Sequence, residues 1–531
     1  MMSDQTRKRG VFVAIGVVVA VIAVMAILVF GGLLTVSHAS QKTTETTPAS
    51  SSVQAKSVTL PNYYMENMVF QRNKPIAVQG STTPKASITV AMKDSDDKHT
   101  AEATTTADAE GNFSISLKAL PAQLKPYTLS IASKGHQLFT IRKTYVGDVF
   151  VAAGQSNMEL NYDQYYGYEA ARQENMQGVF TTDDLPDTIS DSYVFFLVAS
   201  HVKSNYDEND GEFPLLSYNE SGWLAADDDN AQYLSYLAQF FAEHLRENDP
   251  DVPIGIIQTA WGGSPIKQHM VGGEIYGTHI APLRGYNVGG VLWYQGENEA
   301  GIPSDVASYS ANFVTLINQY REIFQDADLP FLYVQLARYD EDVDTAGVRQ
   351  AQLDALQAVG SQKNVAMTVS IDADKGTSEL IHPLGKDILA YRMAQQWQAM
   401  QNKTDVPESP MPKRAVQTDE DGSTIEISFT GSTGEGLHAM SPIYSTRATA
   451  THTADDTDKP LQGFEVAGPD GVFKAASESI TDDDTVLVTA KDVRDIRQVR
   501  YLWRSNPTSS VLLYNGLDLP ASPFSLGISE S

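Results

Sequence analysis

Between residues 146 and 400 short, predominantly apolar runs alternate with stretches of helical periodicity, and this alternation constrains the chain more than any other feature. The runs are Asp148-Val149-Phe150-Val151-Ala152-Ala153, Ile254-Gly255-Ile256-Ile257, Gly290-Val291-Leu292-Trp293 and Val365-Ala366-Met367-Thr368-Val369-Ser370-Ile371. Strands that are apolar on nearly every residue are buried on both faces, which calls for a parallel sheet with helices above and below it. The intervening segments supply such helices. Leu234, Leu237, Ala238, Phe241, Ala242 and Leu245 recur at helical spacing behind the capping candidates Asp229 and Asn230, and Pro250 follows. A second helix is predicted over 304–324, burying Phe313, Leu316, Ile317, Tyr320 and Phe324, and a third over 348–359.

In open α/β sheets the reactive crevice lies beyond the carboxyl ends of the strands. Polar clusters follow the runs: Gly154-Gln155-Ser156-Asn157-Met158, Trp261-Gly262-Gly263-Ser264-Pro265, Trp293-Tyr294-Gln295-Gly296-Glu297-Asn298 and Ile381-His382-Pro383. Ser156 at such a junction is either a presented nucleophile or the cap of the next helix, since Ser and Asn favour both turns and N-caps. Pro383 has the fixed φ suited to the first position of a helix through Ile388, Leu389 and Met393.

These clusters, in this order, resemble the sialate O-acetylesterase family of SGNH-type serine hydrolases. The resemblance begins near Val58, where Leu60-Pro61 and Met68-Val69-Phe70-Gln71-Arg72 match the family's opening strand, and it continues to Arg500-Tyr501-Leu502-Trp503 and Leu519-Pro520-Ala521-Ser522-Pro523-Phe524. It implies an α/β fold, an SGNH (flavodoxin-like) three-layer parallel sheet, flanked by β-sandwich-type domains, and a metal-free, cofactor-free ester hydrolysis through an acetyl-serine intermediate. In that reading Ser156 attacks the acetyl carbonyl and His382 is the base, because a free serine is a weak nucleophile at neutral pH. The acid is Glu379, three residues before His382, where the common pattern has Asp; Asp372, Asp374 or a Ser-His dyad are the alternatives. The oxyanion donors are the amide of Ser156, Gly262 or Gly263, and the side chains of Gln295 and Asn298. Gln155, His269 and Arg349 are the substrate contacts, with Arg349 and Gln352 forming a family-like Arg-x-x-Gln feature able to meet a sugar carboxylate. An ordinary surface role for Arg349 stands beside that reading. The substrate implied is an O-acetylated sialic acid or another acetylated glycan, acetylxylan included. A non-catalytic cell-surface glycan-binding protein on the same fold is the alternative from another class.

Composition narrows the field independently. A formal net charge of -28 opposes a nucleic-acid partner, and the absence of cysteine excludes disulfides and thiolate chemistry. No His-x-x-x-His or His-Glu-x-x-His pattern suggests a metal site. Residues 11–34 carry no charged side chain and match the roughly 20 apolar residues that cross a bilayer as a helix. Arg7, Lys8 and Arg9 precede them, which keeps the N-terminus cytoplasmic and the rest outside. The predicted order is therefore a cytoplasmic basic tail (1–10), a transmembrane signal anchor (11–36), a flexible Ser/Thr linker (37–57), a small β domain (58–145), the catalytic domain (146–402) and a C-terminal β domain (403–531). Cleavage after Ala39 would instead release a secreted protein.

Overall fold

The longest strand, His136–Gly154, sits at the centre of the molecule and organises everything around it. Its first half pairs antiparallel with Gln123–Ser133, and its second half, where the sequence turns mainly apolar, is flanked by Ile254–Gln258 and Gly290–Tyr294, both parallel to it. The computed structural model describes residues 53–164, 186–199, 222–339, 342–360, 364–374, 381–442, 460–482 and 484–529. The tail and anchor expected at 1–36, the linker up to residue 52, and Glu379 lie outside the described residues. Among the described residues no helix is long and apolar enough to cross a membrane.

Across the sheet the order is Leu224–Ala226, Asp191–Val198, Ile254–Gln258, His136–Gly154, Gly290–Tyr294, Phe331–Val334 and Val365–Thr368. With the first two strands set aside, the remaining five have the order 2-1-3-4-5, the flavodoxin-like form of the doubly wound sheet. The sheet as a whole is mixed, which corrects the wholly parallel expectation. Leu224–Ala226 runs antiparallel along one edge, and His136–Gly154 carries the sheet continuously into the antiparallel N-terminal strands. The boundary expected at 145/146 thus falls inside a strand, and residues from 52 onward form one compact unit.

Alternation along the pleat shows why both faces need cover. Phe150 meets Phe241 and Trp397 edge-on at 4.8 and 5.1 Å, so its face is covered by the helices Tyr236–Asn248 and Lys386–Asn402. Trp293 aligns with Ala153, three residues on and therefore on the opposite face, where it stacks on Phe313 of the helix Pro303–Ile323 at 5.9 Å. Thr345–Ala358 packs beside that helix.

Helix starts were harder to read than helix faces. Ser235, not Asp229 or Asn230, caps Tyr236–Asn248 by accepting the Ala238 N–H, and Asp344 does the same for Thr345–Ala358 through Gly347. Pro383 does not open a helix: Lys386–Asn402 begins three residues later behind Gly385. A cap is a local hydrogen bond, and several Ser, Asp and Asn residues near each start compete for it.

The N-terminal β-rich segment contributes the sheet Val58–Thr59, Ile76–Thr82 and Asn112–Leu117, with Ser87–Asp94, Thr100–Thr106 and Gln123–Ser133 joining the large sheet. After residue 403, among the described residues, two four-stranded sheets and one strand pair follow.

Candidate active site

Gly154 ends the central strand with φ +128°, and a Cβ there would lie 2.1 Å from the Tyr294 carbonyl oxygen. Only glycine permits this approach, which lets the Gln155 N–H donate to that carbonyl at 2.9 Å while the Gly154 carbonyl accepts from Trp261. Three strand ends are thereby stitched together at the carboxyl edge of the sheet. The chain then turns into the one-turn helix Ser156–Glu159, for which Gln155 is the flanking residue. Ser156 therefore occupies the first helical position and its hydroxyl does not serve as a cap. Its N–H, like every first-turn amide, has no intrahelical acceptor.

His382 comes from the other side of the crevice, and its Nε2 lies 2.8 Å from Ser156 Oγ, with both residues partly open to solvent. With the imidazole neutral and protonated on Nδ1, the hydroxyl donates to Nε2, the geometry a general base needs to take the serine proton.

The expected third member lies outside the described residues at Glu379. The alternative carboxylates are engaged with arginines. Asp372 receives Arg392 on both oxygens at 2.8 and 2.7 Å and also the Tyr514 hydroxyl at 3.1 Å, and Asp374 pairs with Arg338 at 3.4 Å.

Among the expected oxyanion donors the structure separates inside from outside. Gly262 lies beside Ser156, since a Cβ on it would be 3.6 Å from the Ser156 Cβ, and its N–H donates to Glu159 Oε2 at 2.5 Å. Gly263 is exposed with φ +69° and open space around it, and Asn298 is exposed with its amide donating to the Gly263 carbonyl at 2.8 Å. Gln295 is a correction. It is fully buried, and its Nε2 donates to Gln155 Oε1, the Ser264 carbonyl and Glu299 Oε2 at 3.2, 3.2 and 2.5 Å. No proton of that amide is left for a substrate oxygen.

The expected substrate contacts are likewise engaged by protein partners. Gln155 is buried, and its Oε1 gathers the Gln295 amide and the Gly296 and Asn298 N–H groups at 3.2 to 3.4 Å, so it braces the neighbouring strand end. His269 is buried against Trp293, and burial lowers its imidazole to about 3, which keeps it neutral. The single Ser264 proton goes to the Trp261 carbonyl, so His269 Nε2 donates to Ser264 Oγ at 2.7 Å. Arg349 is fully buried, and its guanidinium donates to the carbonyls of Arg504 and Ser505 at 3.0 and 2.5 Å. Burial and the nearby Arg338 bring it down to about 9. Gln352 donates to the Gln295 and Val334 carbonyls. The Arg-x-x-Gln feature is an internal brace that holds a loop and a strand end. Among the described residues no group of three or more His, Cys, Asp or Glu side chains could hold a metal ion.

Sequence reading missed the polar groups behind the hydroxyl–imidazole pair. Asn157 is 1 % exposed; its Nδ2 donates to the Ile381 carbonyl at 3.0 Å and to Glu297 Oε1, and its Oδ1 accepts from Lys386 Nζ at 2.6 Å. Burial pushes the Glu297 carboxyl up to about 7, against the pull of its backbone and Asn157 hydrogen bonds and the Lys386 charge. The available signal was spacing: Lys386 stands four residues after His382 and Asn157 directly follows Ser156.

A flavodoxin-like sheet carries a serine hydroxyl against an imidazole at its carboxyl edge, an arrangement suited to ester hydrolysis. Comparison with known proteins narrows this. Residues 146–396 match the family model described as carbohydrate esterase, sialic acid-specific acetylesterase. Human sialate O-acetylesterase is 24% identical over 381 residues, covering 62% of this chain and 69% of the human protein, and the mouse enzyme is 23% identical over 400 residues, covering 62% and 71%. The crystal structure of a carbohydrate acetylesterase from Xanthomonas citri superposes with a TM-score of 0.71 at 29% identity, covering 88% of this chain and 99% of that one. Residues 146–396 thus carry the sialic acid-specific acetylesterase domain of carbohydrate esterases, and the protein is a carboxylic ester hydrolase.

Proposed function

We propose that this protein hydrolyses O-acetyl esters on sialic acids of glycans, with Ser156 as nucleophile and His382 as general base. The observation that carries the reading is the 2.8 Å contact between Ser156 Oγ and His382 Nε2 at the carboxyl edge of the sheet. His382 takes the serine proton as Oγ attacks the acetyl carbonyl, then returns it to the departing sugar hydroxyl, leaving acetyl-serine. A water activated by the same imidazole releases acetate. The Ser156 N–H, the Gly263 N–H and the Asn298 amide are the donors assigned to the oxyanion, with Glu379 as the orienting acid. Residues 11–36 are read as an anchor that presents the enzyme outside the cell, supported by their apolar length and the basic residues before them.

The Xanthomonas citri likeness favours a second reading, a broader acetylesterase acting on other acetylated carbohydrates such as xylan. Acetate release from O-acetylated sialic acid and from acetylxylan, measured side by side, separates the two. We expect a kcat/KM on the sialic acid substrate at least about 10-fold higher, a difference of about 1.4 kcal/mol in transition-state binding. Turnover of acetylxylan alone would overturn the preferred substrate.

A further inference from the structure

Lys386 is a lysine with no exposed surface, four residues after His382 at the start of the helix Lys386–Asn402. Burying an ammonium costs several kcal/mol unless it is well satisfied, so its position calls for an explanation. Its Nζ donates to Asn157 Oδ1 at 2.6 Å and to the Pro383 carbonyl at 3.0 Å, and lies 4.9 Å from the centre of the Tyr294 ring. Asn157 follows Ser156, and Pro383 follows His382. The Asn157 amide completes the circuit by donating to the carbonyl of Ile381, the residue before His382, and to the Glu297 carboxylate. The residue next to the serine is thus bonded to backbone or side-chain groups on both sides of the imidazole. The orientation of the Asn157 amide is fixed as well, because its oxygen faces a cation and its nitrogen faces two acceptors.

We propose that Lys386 and Asn157 form a buried clamp that holds the turn carrying His382 against the turn carrying Ser156, so that Lys386 is a positioning residue for the reaction. The inference rests on the reading of Ser156 and His382 as the reacting pair. Neither clamp residue touches substrate. Both act by keeping the hydroxyl and imidazole at hydrogen-bonding distance, and small losses of alignment are costly in rate. An ammonium suits this place because charge-assisted hydrogen bonds are about twice as strong as neutral ones.

The test is a double-mutant cycle on aryl-acetate turnover with Lys386→Met, Asn157→Ala and the double variant, alongside thermal unfolding and the rate at which a fluorophosphonate probe labels the serine. Each single change is expected to lower kcat by about 30-fold or more and to slow labelling comparably, with KM within about twofold of wild type. The double variant should be no more than about threefold worse than the poorer single one, because the two residues act as one unit. Losses that multiply, or a folded Lys386→Met protein with kcat within about threefold of wild type, would overturn the clamp. Should Lys386→Met fail to fold, Asn157→Asp carries the same test, since it keeps the oxygen facing Lys386 but removes the donor to Ile381. A similar loss of kcat in a folded protein supports the clamp, and wild-type kcat refutes it. A Ser156→Ala control keeps the two ideas apart: turnover surviving that change strikes the serine reading itself, whatever the cycle shows.

Discussion

Replacing His382 with Gln is expected to lower kcat for acetyl ester hydrolysis by about 10⁴-fold, equivalent to about 5.4 kcal/mol of transition-state stabilisation, while KM stays within a few-fold of wild type. Gln preserves much of the side-chain volume and a polar end, yet it cannot take a proton from the Ser156 hydroxyl 2.8 Å away. The serine would then have to attack without a base, and the departing sugar would lose its proton donor. Binding groups elsewhere are untouched, which is why the loss should fall on kcat. Steady-state kinetics on an aryl acetate check this directly, and a variant retaining a tenth of wild-type kcat would remove His382 from the chemistry.

Gly154→Ala should be nearly as damaging for a different reason. At φ +128° an L residue is strained, and the new methyl carbon would sit 2.1 Å from the Tyr294 oxygen. Relief requires the strand ends carrying Gln155 and Tyr294 to part, which breaks the Gln155 N–H to Tyr294 bond and displaces the serine. Strain and overpacking together place the cost on the order of 3–5 kcal/mol of stability, with kcat falling at least about 100-fold in whatever remains folded. Denaturant unfolding and kinetics on the purified variant test both parts. A variant with wild-type stability and turnover would show that this junction is not the rigid support described above.

The layered fold was legible because buried strands leave little choice of residue: Val149 to Ala153, Ile254 to Ile257 and Gly290 to Trp293 carry no polar side chain. The serine and histidine were legible because the strand ends point to the crevice and motif order named the residues. Less visible was which polar residues face inward. Gln155, Gln295, His269 and Arg349 sit in or near the motifs and carry hydrogen-bonding groups suited to a sugar, yet each is buried and hydrogen-bonded to protein partners. A strand end needs its own backbone groups paired, and those side chains supply the pairing. One residue of register decides between brace and ligand contact, and spacing alone does not reveal it. Lys386 illustrates the reverse. Lysine reads as surface on a helix, and only the burial of its ammonium against Asn157 shows that it belongs behind the reacting pair.

The central claim is that the Ser156 hydroxyl attacks the acetyl carbonyl and carries the acyl group. Mass spectrometry of the protein acid-quenched during turnover of an aryl acetate tests it most directly. We predict a fraction of the chain bearing one acetyl group, mapped to the peptide containing Ser156 and absent from Ser156→Ala. Acetyl transfer to another residue, or undiminished hydrolysis by Ser156→Ala, would contradict the account.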